Sequence, residues 1–261
     1  GPFTYQMMHK IISKKWHNRL LPSKGSHIWL PRTRLPIHHP MVLPTSDGRI
    51  IFAIPQGEIV LIGTTEVTTN EEFTDIIASE AEIIYLLKTV NFYFPQNHLE
   101  RHDVLSSFAG IRPLVREDLR PSMNKTSRYH KVYLPFKNFF VIAGGKYTTF
   151  RSMVQEVSRE ITLSYGKAYN KERTKSPLRV KSAIDSFISQ DEILQQATPR
   201  HLEKIILQEL PRTSEDLIIR RLGIKNLDHW AAGATFIDTL KQRLGNSQDK
   251  ILWTDPKNWF R

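Results

Sequence analysis

Short apolar runs separated by turn residues dominate the first part of the chain, which is typical of β-strands. Residues 26–30 form one such run, and it ends at Pro31. The runs at 49–54 and 58–63 flank a turn of proline, glutamine and glycine, so this pattern predicts an antiparallel hairpin. Several strands of this kind within residues 21–63 predict a mixed or antiparallel sheet.

The middle of the chain combines one helical pattern with further strands. Between residues 79 and 94, apolar residues recur at helical spacing until a proline stops the pattern. Residues 104–108 are predicted to form another strand. The runs at 131–134 and 138–143 predict a second hairpin, whereas the polar stretch 116–128 is predicted to be a loop.

Helical periodicity takes over after Arg151. The candidate helices lie near residues 148–165, 181–187, 190–196, 199–209, 214–222 and 234–244. A charged linker near residue 170 separates the first helix from the others. These patterns predict an α+β fold in three parts: a basic N-terminal segment over 1–20, a β-rich domain over 21–170, and a small all-α domain over 171–261.

Composition restricts the class of protein. Of 261 residues, 40% are hydrophobic and 24% are charged, which is ordinary for a soluble globular protein. The sequence contains no cysteine, which excludes disulfides, thiolate catalysis and cysteine-based metal sites. His38 and His39 lack metal-ligand spacing, so no metal site is predicted. The sequence leads us to expect neither a membrane-spanning helix nor a signal peptide.

The net charge of +11 favours anionic partners such as nucleic acid, anionic lipid or phosphorylated small molecules. The basic residues are spread along the chain, which argues against nucleic acid. One cluster interleaves basic and apolar residues at helical spacing, and its members are Lys10, Ile11, Ile12, Lys14, Lys15, Trp16, Arg19, Leu20 and Lys24. The cluster is interpreted either as a basic amphipathic segment on an anionic membrane surface or as a solvated terminal helix.

The stretch 144–151, Gly-Gly-Lys-Tyr-Thr-Thr-Phe-Arg, is the centre of the candidate chemistry. A β-prone run enters it and a helical stretch leaves it, so we expect two glycines to turn a strand into a helix capped by threonines. The helix start carries partial positive charge, and Lys146 adds a full charge. Such a corner suits an anion or an electron-rich ring, and a tight turn without a ligand is the alternative interpretation.

An ordered series of motifs runs through the chain. Its members are LPSKGSHI at 21–28, DGRIIFAIP at 47–55, IGTTE at 62–66, FAGIRPL at 108–114, SR at 127–128, GGKYTTFR at 144–151, ELPRT at 209–213 and DLIIRRLG at 216–223. The series spans roughly residues 20 to 225 and resembles the FAD-dependent glycerol-3-phosphate dehydrogenases, within the D-amino-acid-oxidase-like flavoproteins. Its order is more specific than any single motif.

The resemblance implies oxidation of sn-glycerol 3-phosphate to dihydroxyacetone phosphate, with hydride passing to FAD and electrons then passing to a quinone. It implies that Arg112 and Arg128 bind the substrate phosphate, for which the planar donor fork of arginine is suited. His27 would orient or deprotonate the substrate hydroxyl, and Lys146 would lie beside the substrate and the flavin. The cofactor-binding positions that it implies are Gly144, Gly145, Lys146, Thr148 and Thr149.

The sequence departs from this family by lacking the Gly-x-Gly-x-x-Gly motif that holds the FAD pyrophosphate. We therefore expect the N-terminal Rossmann-like FAD half to be absent, and the chain to be a C-terminal portion that retains FAD weakly and is inactive alone. Two further positions depart from the family. Glu66 stands where the family commonly has aspartate, and Tyr129 stands where it commonly has an acidic residue. The expected partners are glycerol 3-phosphate and either a separate FAD-binding half or a homo-oligomer, and the sheet is expected to expose an edge and apolar surface.

Two other functions stay open. The chain is alternatively a non-catalytic remnant that binds an anionic partner, or part of another amine or hydroxy-acid oxidase of the same superfamily. The paired arginines and the helical tail argue against the second alternative. The expected location is the cytoplasm, with or without peripheral attachment to the cytoplasmic membrane.

Overall fold

The structure is a computed structural model that describes residues 1–12, 16–69, 76–115, 130–172, 198–222 and 230–254. Its strands are β1 (Leu20–Pro31), β2 (Met41–Pro44), β3 (Ile50–Gln56), β4 (Ile59–Gly63), β5 (Val67–Thr68), β6 (Ser106–Val115), β7 (His130–Phe136) and β8 (Phe139–Gly144). Its α-helices are α1 (Thr4–Ile12), α2 (Glu80–Tyr93), α3 (Phe150–Ser164), α4 (Pro199–Glu209) and α5 (Trp230–Leu244). Antiparallel sheets accompanied by several helices confirm the predicted mixture of α and β structure.

The chain folds as two compact units. The first unit holds the described residues of Gly1–Gly25, Thr65–Ile76 and Ala109–Arg179, and the second holds those of Ser26–Thr64, Ile77–Phe108 and Val180–Arg261. The domain boundaries predicted near residues 20 and 170 stay predictions.

In the second unit, β2, β3, β4 and the last part of β1 form an antiparallel sheet in that order. The hairpin predicted between residues 49 and 63 is confirmed, since β3 and β4 pair with Phe52 opposite Gly63. Alternate positions such as Ile51 and Ile62 are fully buried, because successive side chains of a strand point to opposite faces. One face of the sheet therefore belongs to the core of the unit.

Helix α2 packs in this core and confirms the helix predicted between residues 79 and 94. The Ser79 hydroxyl accepts a hydrogen bond from the Glu82 amide, and the Glu82 carboxylate accepts one from the Ser79 amide. This capping box explains where the helix begins. Leu86 and Val90 are fully buried in the same cluster as the strand residues. Full burial of such a side chain contributes about 1.5–3 kcal/mol, so the helix holds the sheet firmly.

The helical tail of the second unit has its own core. Its buried apolar residues are Leu202, Ile205, Ile206, Leu217, Ile218, Leu222, Ile237, Leu240, Leu244 and Ile251. The helices predicted near 199–209 and 234–244 are confirmed as α4 and α5, whereas Asp216–Arg221 forms a π-helix within the predicted segment 214–222. The helices predicted at 181–187 and 190–196 lie outside the described residues.

The first unit is built on the predicted hairpin of β7 and β8, which is confirmed by antiparallel pairs such as His130 opposite Gly144. Met8 of α1 and Trp16 pack against Val141 of this hairpin. The Trp16 ring also meets the Tyr133 ring edge-on, with 5.6 Å between their centroids. Burial raises the pKa of Tyr133, since desolvation disfavours the phenolate.

The continuous basic amphipathic helix considered for residues 10–24 is wrong. Helix α1 ends at Ile12, and Leu20 and Lys24 both lie in strand β1, where each is buried. Leu20 instead packs with Val115 and Ala143. Trp16 and Leu20, which fit the helical spacing, belong to the core of the first unit instead.

None of the helices in the described ranges has the length and apolar character needed to cross a membrane.

Candidate functional site

Arg112 on β6 is held in one place by main-chain groups of the first unit. Its two terminal guanidinium nitrogens, Nη1 and Nη2, each donate to the carbonyl oxygen of Thr65 at 3.2 Å. A Cβ atom at Gly25 would overlap the guanidinium, so the glycine provides the space that the arginine occupies. A guanidinium is a planar cation that carries five N–H donors in a fixed fork. The group is thus positioned as a cationic fork of the kind that binds phosphate.

His27 on β1 is fixed by ring packing in the second unit. Its imidazole lies parallel to the Phe108 ring, with 4.7 Å between centroids and 7° between planes. Gly63 lies opposite His27 in the neighbouring strand, and a Cβ atom there would overlap the imidazole. Glycine on one side and an aromatic ring on the other set the orientation of a side chain that can accept a proton.

The glycine corner follows β8. Gly144 and Gly145 have φ angles of +75° and +83°, a conformation that glycine adopts without steric cost. A short 3₁₀ turn over Tyr147–Thr149 follows, and α3 begins at Phe150. The side chains of Lys146 and Thr148 are exposed. The corner therefore presents a cation and the start of a helix at the surface of the first unit.

The prediction that a threonine side chain caps the start of α3 is wrong. Thr149 is the N-cap residue of α3, but its side chain makes no capping hydrogen bond to that helix. Its hydroxyl instead donates to the Lys146 carbonyl at 3.1 Å and accepts from the Lys146 amide at 3.2 Å. The 3₁₀ turn brings Thr149 back over Lys146, so the threonine stabilises the turn.

Two side chains beneath the corner were not found from the sequence. His130 on β7 places Nε2 at 2.8 Å from a carboxylate oxygen of Glu156 on α3. The Met153 thioether occupies the space that a Cβ atom on Gly145 would need. The β7–β8 hairpin and α3 thus contact each other beneath Gly144 and Gly145. Helical apolar spacing in α3 was a sequence signal for Met153, whereas no local pattern indicated the contact between His130 and Glu156.

The predicted site residues fall into three local groups: Arg112 with Thr65 and Gly25, His27 with Phe108 and Gly63, and the glycine corner. Arg128 lies outside the described residues, so its predicted role stays a prediction. Among the residues that the structure describes, no three histidine or carboxylate side chains converge as metal ligands. The cationic fork, the imidazole and the exposed corner are the chemistry that the described residues offer.

Comparisons with known proteins find glycerol-3-phosphate dehydrogenases among the relatives of this chain. No family model matches the chain. The aerobic glycerol-3-phosphate dehydrogenase of Bacillus subtilis is 30% identical over 157 residues, which cover 60% of this chain and 28% of that protein. The mitochondrial glycerol-3-phosphate dehydrogenase of Mus musculus is 36% identical over 158 residues, covering 60% of this chain and 22% of that protein.

A solved structure shows the same fold. The glycerol-3-phosphate dehydrogenase from Bacillus halodurans, complexed with FAD, superposes with a TM-score of 0.72 at 20% identity. The match covers 96% of this chain and 57% of that chain.

The resemblance inferred from the motif series is confirmed, since homologues named glycerol-3-phosphate dehydrogenase align with about 60% of the chain. The chain spans only about a quarter of the length of the curated relatives that it matches, 28% of the bacterial and 22% of the mouse protein.

Proposed function

We propose that this chain carries the substrate-binding sheet and the C-terminal helical portion of an FAD-dependent glycerol-3-phosphate dehydrogenase. The proposed reaction converts sn-glycerol 3-phosphate into dihydroxyacetone phosphate. Its support is the similarity to curated glycerol-3-phosphate dehydrogenases together with the three residue groups described above.

The observation that carries the proposal is the placement of Arg112. The guanidinium is braced by Thr65 and fits a space left by Gly25, so its fork is ordered before any ligand arrives. Hydrogen bonds from a charged donor to phosphate are about twice as strong as neutral ones. A fixed arginine of this kind distinguishes a phosphorylated polyol from free glycerol.

The glycine corner fits one edge of a flavin. Positive φ angles at Gly144 and Gly145 leave the main chain without side chains at the turn, so a flat ring can approach it. Lys146 and the start of α3 add positive charge beside that edge. FAD, when bound there, supplies the acceptor for the hydride. We therefore propose Gly144, Gly145, Lys146, Thr148 and Thr149 as cofactor-binding residues.

The remaining chemistry belongs to side chains of this chain. An imidazole nitrogen of His27 takes the proton of the substrate hydroxyl. The hydride leaves the carbon that bears this hydroxyl, so that the alcohol becomes a ketone. Lys146 stabilises the negative charge that develops during this step. Arg112, with Arg128 as a second proposed contact, anchors the phosphate and places the carbon to be oxidised.

The 261 residues contain no Gly-x-Gly-x-x-Gly motif to hold the FAD pyrophosphate. We propose that a flavin-binding part outside this sequence holds the ADP portion of FAD, and that the chain alone does not turn over substrate.

The deciding experiment mixes the purified chain with an FAD-loaded flavin-binding part from a related enzyme. Addition of glycerol 3-phosphate should bleach the flavin absorption bands in the mixture and leave them unchanged for either component alone. Arg112→Ala should slow bleaching strongly. Arg101→Ala is the matched control, because Arg101 is an exposed arginine paired with Glu80. Equal bleaching with Arg112→Ala and wild type would contradict the proposed substrate site.

The non-catalytic alternative is the outcome in which no flavin bleaching occurs under any condition. Binding to anionic lipid or nucleic acid that weakens steeply with salt would then favour an anion-binding module, consistent with the net charge of +11.

The resemblance also supports two proposals about the setting of the reaction. We propose that electrons pass to a quinone, and that the protein works in the cytoplasm, where peripheral attachment to the membrane is a separate hypothesis. Fractionation of a lysate at low and high salt tests the attachment. Recovery in the soluble fraction under both conditions would contradict it.

A further inference from the structure

Glu82 places a buried carboxylate at the start of helix α2, where it is 6% exposed. One carboxylate oxygen, Oε2, accepts hydrogen bonds from the Ser79 amide at 3.0 Å and from the Ser79 hydroxyl at 2.8 Å. The other oxygen, Oε1, accepts a hydrogen bond from the Ser26 hydroxyl on β1 at 2.8 Å. The carboxylate therefore joins the first turn of the helix to a strand that is distant in the sequence.

Ser26 is the residue immediately before His27 on β1. Ser26, Ile28 and Leu30 are fully buried, and as alternate residues of a strand they share one face. Ile28 and Leu30 belong to the core cluster in which α2 packs. His27 therefore projects from the opposite face, where its ring stacks on Phe108. Because Ser26 and His27 are consecutive, a shift of the main chain at Ser26 also shifts the imidazole.

Stability alone does not explain a carboxylate at this place. A buried charged group loses its hydration, and apolar residues of similar volume commonly stabilise a core as well or better. Apolar contacts are non-directional, whereas a hydrogen bond restricts both a distance and an angle. Ser79 fixes the Glu82 carboxylate, and the carboxylate in turn fixes the Ser26 hydroxyl. What the polar pair adds is a defined position for the main chain that leads into His27.

We propose that Glu82 is a positioning residue for His27 and acts through Ser26. Gly63 and Phe108 set the plane of the imidazole, and the hydrogen bond between Ser26 and Glu82 sets the distance between the strand and α2. Glu82 itself does not touch the substrate. This inference rests on the proposed function, since the position of His27 matters for turnover only if it accepts the substrate proton.

Ser26→Ala tests the link, because it removes the hydroxyl and leaves the capping box of Ser79 and Glu82 in place. The kcat of the assembled enzyme should fall by about tenfold or more, since a misplaced catalytic group slows the chemical step. The KM for glycerol 3-phosphate should change by less than about threefold, because Thr65 braces Arg112 independently of Ser26.

NMR of the chain alone gives a readout that needs no activity. In Ser26→Ala, the His27 ring protons should lose part of the upfield shift caused by the Phe108 ring. The rescue variant is Ser26→Thr, which keeps a hydroxyl at this position and should retain more of the shift and of the kcat than Ser26→Ala.

Two control variants separate positioning from stability. Asn91→Ala removes the hydrogen bonds of 2.8 Å that the other end of α2 makes with the main chain of Leu99. It should lower the free energy of unfolding and leave the kcat unchanged. The double variant Ser26→Ala with Glu82→Leu replaces the polar pair by an apolar pair. It should keep most of the stability and show the low kcat of Ser26→Ala. Urea unfolding measures the stability of each variant.

Several outcomes would overturn the inference. They are a wild-type kcat in Ser26→Ala, an equal loss of kcat in Asn91→Ala, and recovery of the wild-type kcat in the apolar pair. If Ser26→Ala does not fold, the apolar pair replaces it, and a wild-type kcat and His27 spectrum in that variant would contradict the inference.

The two proposals fail in different ways. Flavin bleaching by the wild type, together with an unchanged kcat and His27 spectrum in Ser26→Ala, refutes the positioning role alone. A wild type that bleaches no flavin, together with shifted His27 ring protons in Ser26→Ala, refutes the catalytic function and leaves the link between Ser26 and His27 in place.

Discussion

The imidazole of His27 and the backbone of Gly63 occupy neighbouring strands in direct register, and the ring fills the space that any larger residue at position 63 would need. On its other side the imidazole stacks on Phe108. The orientation of His27, the candidate proton acceptor, therefore depends on the absence of a Cβ atom at position 63.

Gly63→Ala is expected to displace the His27 ring. Forcing an extra carbon into a packed site costs about 1–3 kcal/mol of stability. A misplaced catalytic group lowers turnover of the assembled enzyme by about 100-fold. In the chain alone, NMR should show that the His27 ring protons lose the upfield shift caused by the Phe108 ring. The control is Gly110→Ala, because a Cβ atom at Gly110 meets nothing within 4 Å. An unchanged His27 spectrum in Gly63→Ala would contradict the packing argument.

Gly25→Ala is expected to act on phosphate recognition. The new methyl group must push the Arg112 guanidinium away from its position beside Thr65. Hydrogen bonds that involve a charged group contribute about 1.5–3 kcal/mol, so the KM for glycerol 3-phosphate should rise about 10- to 100-fold. Steady-state kinetics of the assembled enzyme measures this KM, and Gly110→Ala is again the control. A KM that stays at the wild-type value would show that Arg112 does not contact the phosphate.

Local patterns predicted the elements whose determinants are close in sequence. The hairpin of β3 and β4 follows from two apolar runs around a glycine turn, and α2 follows from apolar spacing behind Ser79. Such signals depend on the pleat of a strand and the turn of a helix, so a few residues are enough to carry them.

Local patterns did not predict contacts between segments that are distant in the sequence. Trp16 and Leu20 show helical spacing, but hydrophobic packing against other segments places Trp16 beside Val141 and Leu20 in a strand. The packing around His27 also depends on contacts between segments that are distant in the sequence. Phe108 and Gly63 were visible as motif members, but their roles arise from the pairing of strands that no local pattern reports.

The helical tail allows a direct stability prediction. Leu217 is fully buried in the core of the tail. Leu217→Ala should destabilise the protein by about 2–5 kcal/mol, because it removes buried apolar contacts and leaves a cavity. Leu207→Ala on α4 is the matched control, since Leu207 is 57% exposed. Urea unfolding measures both variants. Equal midpoints for the two would mean that the cluster does not form a core.

The last prediction concerns acid stability and the pair of Arg34 and Asp103. Arg34 Nε donates to Asp103 Oδ1 at 2.6 Å, and the Glu100 amide donates to Oδ2 at 2.8 Å. The hydrogen bond from Arg34 is the main reason why the pKa of Asp103 lies below its ordinary value. The ionised carboxylate is therefore favoured in the folded state. Its contribution to stability is complete above the pKa of an unfolded aspartate, about 3.9, and is lost as the pH falls through the lower pKa of the folded state.

Asp103→Asn should therefore lower the Tm at neutral pH, and its difference from wild type should shrink as the pH falls below about 4. The carboxamide keeps one acceptor oxygen but loses the charge that faces Arg34. Asp238→Asn is the control, since Asp238 is an exposed carboxylate 3.9 Å from Lys241. Thermal unfolding across this pH range decides the matter, because a Tm difference that is constant with pH would mean that Asp103 acts through its shape and not through its charge.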